Sequence, residues 1–89
     1  MLYAVICRDK PDHLKRRLGN RAAHLDYIER TGIVKMAGPF IEGGQMCGTL
    51  AIIEADSLDA AHAWVAGDPY GAAGLFEEVK VIEWKKVIG

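Results

Sequence analysis

Apolar residues crowd Leu2-Tyr3-Ala4-Val5-Ile6-Cys7 and then give way to Asp9-Lys10-Pro11-Asp12. A β-prone run closed by turn-forming residues predicts a first strand over 2–8, with Asp12 capping the helix that follows. Leu14, Leu18, Leu25 and Ile28 recur at helical spacing as far as Thr31-Gly32, where a glycine supplies the stop. Gly19-Asn20 is a weak point in that helix. Glycine costs about 1 kcal/mol in a helix interior and Asn20 can cap a second helix, so a bend or break is expected there. Two more β-prone runs, 33–41 and 46–55, flank Glu42-Gly43-Gly44-Gln45, whose paired glycines suit the positive φ of a hairpin turn. Pro39 has no N–H to offer a ladder, which consigns the first of the two to a sheet edge. Ser57 caps a helix carrying Leu58, Ala61, Trp64 and Val65 on one face and ending at Gly67. The connection Gly71-Ala72-Ala73-Gly74 leads through Phe76 into a last strand over 79–84.

The order is βαββαβ, an α+β chain of the ferredoxin-like kind: an antiparallel sheet with both helices on one face, formed by residues 1–89 as a single domain. The first and third strands are apolar at both parities: Val5 and Cys7 against Ala4 and Ile6, Leu50 and Ile52 against Ala51 and Ile53. A half-solvated antiparallel sheet alternates instead. The second face therefore calls for a cover, and a second copy of the sheet supplies it, giving a homodimer built as a dimeric α+β barrel. The alternative is an apolar face left open to water, which is uncommon at that size.

Composition narrows the partners. Eleven basic and 12 acidic residues give a net charge of −1, without the concentrated basic field that duplex DNA or an anionic membrane requires. RNA-recognition modules share the topology, yet Met46–Ile53 offers no aromatic platform for bases. No apolar run approaches a membrane span and Met1-Leu2-Tyr3 opens directly into a strand, so a cytoplasmic location is expected. Cys7 and Cys47 are too few for a disulfide framework; both are expected as small buried hydrophobes, with a reactive thiol as the alternative. His13 and His62 lack a ligand partner at metal spacing, and no phosphate loop, serine elbow or dinucleotide fingerprint is present, so neither metal nor cofactor is expected.

Gly67-Asp68-Pro69-Tyr70 is where chemistry concentrates. Proline disfavours the helical conformation for the residue ahead of it, which holds Asp68 in extended geometry just past a helix. His24 is the base that this carboxylate would serve across the fold. Neutral imidazole is the usual general base near pH 7, and an aspartate on one ring nitrogen fixes the tautomer and frees the other nitrogen for a substrate proton. The alternative is a hydrogen-bonded boundary histidine and a turn aspartate, and spacing leaves both open. Arg17 and Arg21 stand four residues apart, Arg21 within the arc of Leu14, Leu18, Leu25 and Ile28. Such an arginine holds a carboxylate or phenolate, pairs with Asp68, or lays its stem on the apolar arc and reaches water. Tyr70 is a core anchor or a pocket wall with a hydroxyl to offer. The candidate site is thus His24 and Asp68 for catalysis, with Arg17, Arg21 and Tyr70 for binding a small anionic or aromatic molecule.

The segments Arg21-Ala22-Ala23-His24-Leu25, Ala37-Gly38-Pro39, Ala60-Ala61-His62-Ala63-Trp64, Asp68 to Phe76, and Val79-Lys80-Val81 together resemble the YciI family over nearly the whole chain. The resemblance implies the ferredoxin-like fold and the dimeric barrel. It also implies that His24 and Asp68 match the family's candidate active-site pair. Similar sequences often carry proline where this chain has Ala22. The family is mostly of unassigned function, with a branch linked to dehydrochlorination in chloroaromatic breakdown and other members found beside regulatory domains. The expectation is a small cofactor-free enzyme in which His24 and Asp68 carry proton abstraction, isomerisation or elimination. The alternative is a non-catalytic ligand-binding or assembly domain using the same crevice.

Overall fold

The computed structural model describes residues 1–89 and runs β1 (Leu2–Asp9), α1 (Leu14–Thr31), β2 (Val34–Glu42), β3 (Gln45–Glu54), α2 (Leu58–Ala66), α3 (Pro69–Ala72) and β4 (Phe76–Trp84). The strands form one antiparallel sheet in the order β2-β3-β1-β4, so the proline-bearing β2 lies at an edge. Tyr3, Val5 and Cys7 of β1 and Ala51 and Ile53 of β3 face the same side, where they meet Ala61 and Trp64 of α2 and are flanked by Tyr27 and Ile28 of α1. Both long helices therefore cover one face of the sheet, the ferredoxin-like arrangement. Gly43 and Gly44 turn the β2-β3 hairpin at φ 56° and 75°, a left-handed pair that side chains resist.

Local expectations fail at four places, each for a physical reason. Asp12 does not cap α1: it occupies the left-handed region at φ 59°, which short polar residues tolerate, and His13 takes the cap position without a side-chain bond. The helix does not break at Gly19-Asn20, because the Asn20 amide turns back to donate to the Arg16 carbonyl at 2.8 Å instead of capping a new start. It ends as expected, with Gly32 left-handed at φ 67° and its N–H on the Ile28 carbonyl. The Gly-Ala connection opens as a turn of helix, α3, with Pro69 first, and β4 begins at Phe76 because pairing with β1 extends back to Asp9. Cys7 is buried, whereas Cys47 is half-buried beside Arg8 and Glu42.

The face of α1 turned to the sheet is the main departure. Leu18 and Leu25 are 52% and 44% exposed, while Arg17 and His24 are buried. Seven residues separate these two, two helical turns, so they project in one direction. Burying them is tolerable only because each finds an acid on another element, Asp9 at the end of β1 for Arg17 and Asp68 between α2 and α3 for His24. The other sheet face carries Ala4, Ile6, Met36, Leu50, Ile52, Ile82 and Trp84, with Met36, Ile82 and Trp84 well exposed.

Candidate active site

Asp68 is held by the backbone on both sides. Helix α2 stops at Gly67, where a Cβ would stand 2.6 Å from the Tyr27 hydroxyl; that hydroxyl in turn donates to the Trp64 carbonyl at 2.6 Å. Asp68 then adopts extended geometry ahead of Pro69, at φ −69° and ψ 126°, and its Oδ1 accepts the Tyr70 N–H at 3.0 Å as the cap of α3. The same Oδ1 lies 2.8 Å from Nδ1 of His24, and both residues are buried. A carboxylate only accepts, so Nδ1 carries the hydrogen and the neutral ring leaves Nε2 as its acceptor. No protein hydrogen bond engages Nε2, and His24 lines a cavity of about 170 Å³.

Tyr70 forms a wall of this cavity. Its ring stacks on the His24 imidazole at 3.9 Å between centroids and 15° between planes, and meets Phe76 edge-on at 6.2 Å. The Arg17 guanidinium stands 4.7 Å from the same ring centroid. Burial pushes the Tyr70 hydroxyl pKa above its ordinary value, while Arg17 and Arg21 pull it down less strongly. Tyr70 therefore stays protonated through neutral pH and offers a donor.

Arg17 is the structural keystone of the other wall. Its Nε donates to Asp9 Oδ2 at 2.7 Å, and its Nη2 reaches Asp9 Oδ1, the Gly48 carbonyl at 2.7 Å and the Thr49 hydroxyl. Its charge is thus already balanced by Asp9, with both side chains about 5% exposed or less. Nη1 makes no protein hydrogen bond, and Arg17 contributes to the cavity lining. Arg21 lies exposed at the cavity with no ion-pair partner. Leu25, Ile28, Pro39 and Met46 supply apolar lining. The cavity combines an imidazole acceptor, a phenol, two guanidinium groups and an apolar wall, which suits a small planar molecule bearing oxygen atoms.

All five sequence candidates meet at this one cavity or its immediate support: His24, Tyr70, Arg17 and Arg21 line it, and Asp68 stands behind His24. Asp9, Gly48 and Thr49 were not anticipated. A signal for Asp9 existed, since it shares parity with Tyr3, Val5 and Cys7 and so must point at the helices, where a buried carboxylate demands a cation. Gly48 is confined by space: a Cβ there would overlap the Cys7 carbonyl oxygen. Cys7 itself is inert, its thiol pushed up to about 12 by burial first and by the Asp68 and Asp9 carboxylates second. No group of three or more acidic, histidine or cysteine side chains is gathered in a way that could hold a metal ion.

Comparison with known proteins places this chain in a family. A protein named YciI from Escherichia coli O6:H1 is 39% identical, aligning 98% of this chain with 99% of its own, as does YciI of Shigella flexneri. An uncharacterised protein of Haemophilus influenzae is 33% identical over the same shares. Among solved structures, the 5-chloro-2-hydroxyhydroquinone dehydrochlorinase TftG of Burkholderia phenoliruptrix AC1100, in complex with 2,5-dihydroxybenzoquinone, superposes with a TM-score of 0.90. The two are 37% identical, and 96% of this chain and 94% of that one are covered. An antibiotic biosynthesis monooxygenase superposes at 0.58 with 12% identity over 97% of this chain and all of that one, a likeness of fold alone. The profile of the YCII-related domain matches residues 1–85, and this chain belongs to that family.

Proposed function

We propose that this protein is a small-molecule enzyme that moves protons with His24 as acid and base and Asp68 as its orienting partner. The observation that carries the reading is the 2.8 Å contact between Nδ1 and a buried carboxylate, with Nε2 left open to a cavity. Asp68 holds the tautomer with Nε2 unprotonated and stabilises the imidazolium once Nε2 has taken a proton. Returning that proton to another atom of the ligand completes an isomerisation. Where the carbon that loses the proton neighbours a leaving group, the C–H electron pair becomes the new double bond and the leaving group departs with its own pair, an elimination. Neither step needs a cofactor. The bound ligand and activity of TftG support a hydroxylated, quinone-like ring as the substrate class. The ring would lie along the Tyr70 wall with Arg21 on an anionic oxygen and Arg17 Nη1 within the cavity. Oligomerisation belongs to the same reading: a homodimer, cytoplasmic, in which the face bearing Met36, Ile82 and Trp84 packs on its equivalent.

The test is chloride release and appearance of quinone absorbance on incubation with 5-chloro-2-hydroxyhydroquinone and a panel of hydroxylated rings. Turnover is expected, with His24→Ala and Asp68→Asn each lowering it by about 10² or more and the double variant adding little. Recovery of unchanged ligand, bound but never converted, overturns the enzyme and leaves a binding domain.

A further inference from the structure

We infer that Thr49 donates a hydrogen bond to an oxygen atom of the ligand, and so positions and selects what the cavity accepts. The inference rests on the reading of this cavity as a small-molecule site. Thr49 lies on β3 on the helix-covered side, is buried, and lines the cavity together with His24. A guanidinium has donors and no acceptor, so its contact with the Thr49 hydroxyl is one in which Arg17 Nη2 donates and Oγ accepts. The hydroxyl hydrogen is then free, and no protein atom receives it.

The rotor is also restricted. Arg17 is clamped by two contacts to Asp9 and one to the Gly48 carbonyl, so it holds Oγ from a set direction before any ligand arrives. A donor aligned in advance needs little ordering on binding. Arg17 Nη1, likewise without a protein acceptor, lines the same cavity. Two donors from one fixed cluster select a carbonyl, phenolate or carboxylate oxygen, and a ligand lacking that oxygen leaves them unpaired.

The experiment titrates 2,5-dihydroxybenzoquinone into the parent protein and into Thr49→Val, Thr49→Cys and Thr49→Ser, reading affinity by visible absorbance and the bound carbonyl stretch by infrared difference. Val is expected to bind about tenfold more weakly and to raise the carbonyl frequency, Cys to fall between, and Ser to restore both. Should the Val variant unfold, Cys against Ser decides the matter by the same two measurements. Unchanged affinity in Val, or weaker binding with an unmoved carbonyl stretch, overturns the inference, the second because Thr49 would then act only by holding Arg17. Failure of the parent to bind the probe overturns the cavity reading and this inference together.

Discussion

Removing Asp9 from beneath Arg17 exposes how much of the fold hangs on one charge. The pair is closed by a 2.7 Å contact and both side chains are almost wholly buried, so Asp9→Ala strips a buried guanidinium of its counter-charge and leaves it the Gly48 carbonyl, the Thr49 hydroxyl and the Tyr70 ring. Breaking a buried pair from one side costs about 3–5 kcal/mol, because the surviving charge keeps its desolvation penalty and loses its counter-charge. A domain of this kind holds roughly 5–15 kcal/mol in total, so the loss takes a large share of it. Urea unfolding at fixed protein concentration reads the effect as a midpoint lowered by about 2 M, taking a slope near 1–3 kcal/mol per M. Replacing both partners, Asp9→Leu with Arg17→Met, should recover most of that, since two apolar groups carry no buried charge. A single variant that shifts stability by less than about 1 kcal/mol, or a double variant no better than the single, would refute the account of a buried, mutually dependent pair.

Three further outcomes are expected. Arg21→Met should weaken binding of an anionic hydroxyquinone while leaving the urea midpoint unchanged; equal affinity in the variant would show an arginine that only reaches for water. Light scattering at micromolar concentration should give twice the chain mass, since a natively folded monomer would leave Met36, Ile82 and Trp84 in water and end the case for a packed second sheet. Burial raises the Cys7 thiol to about 12, above its unfolded value. Its contribution to stability is therefore complete below that unfolded value and lost as pH rises toward 12, and Cys7→Ala should flatten this part of the alkaline unfolding profile. Identical profiles would remove Cys7 from the account.

The strands were legible in the sequence because each apolar run is bounded by turn residues, and Pro39 alone suffices to send β2 to an edge. Pro69 likewise announces the extended Asp68, and the 2.8 Å contact with His24 follows from a helix that ends opposite it. The inward face of α1 was not legible. Periodicity ranks positions by hydrophobicity, and here the most buried helical side chains are an arginine and a histidine whose partners lie on other elements, eight and 44 residues away. Leu18 and Leu25 kept the spacing yet stay partly in water, Leu25 at the rim of the cavity. Asp12 misled for a related reason: the same short polar side chain that caps helices also tolerates a left-handed turn, and only the surrounding chain decides which.

One oxygen atom, Oδ1 of Asp68, accepts both the Tyr70 N–H and the His24 ring. Folding and the proposed chemistry therefore place different demands on the same position, and drift at that position would sort descendants. Serine and asparagine satisfy the cap, so they keep the backbone course from α2 into α3, but neither carries the charge that steadies an imidazolium. Glutamate keeps the charge and loses the cap. Relatives that keep the fold without the proposed proton transfer should thus carry Ser or Asn there opposite an intact histidine, a mark readable in sequence alone.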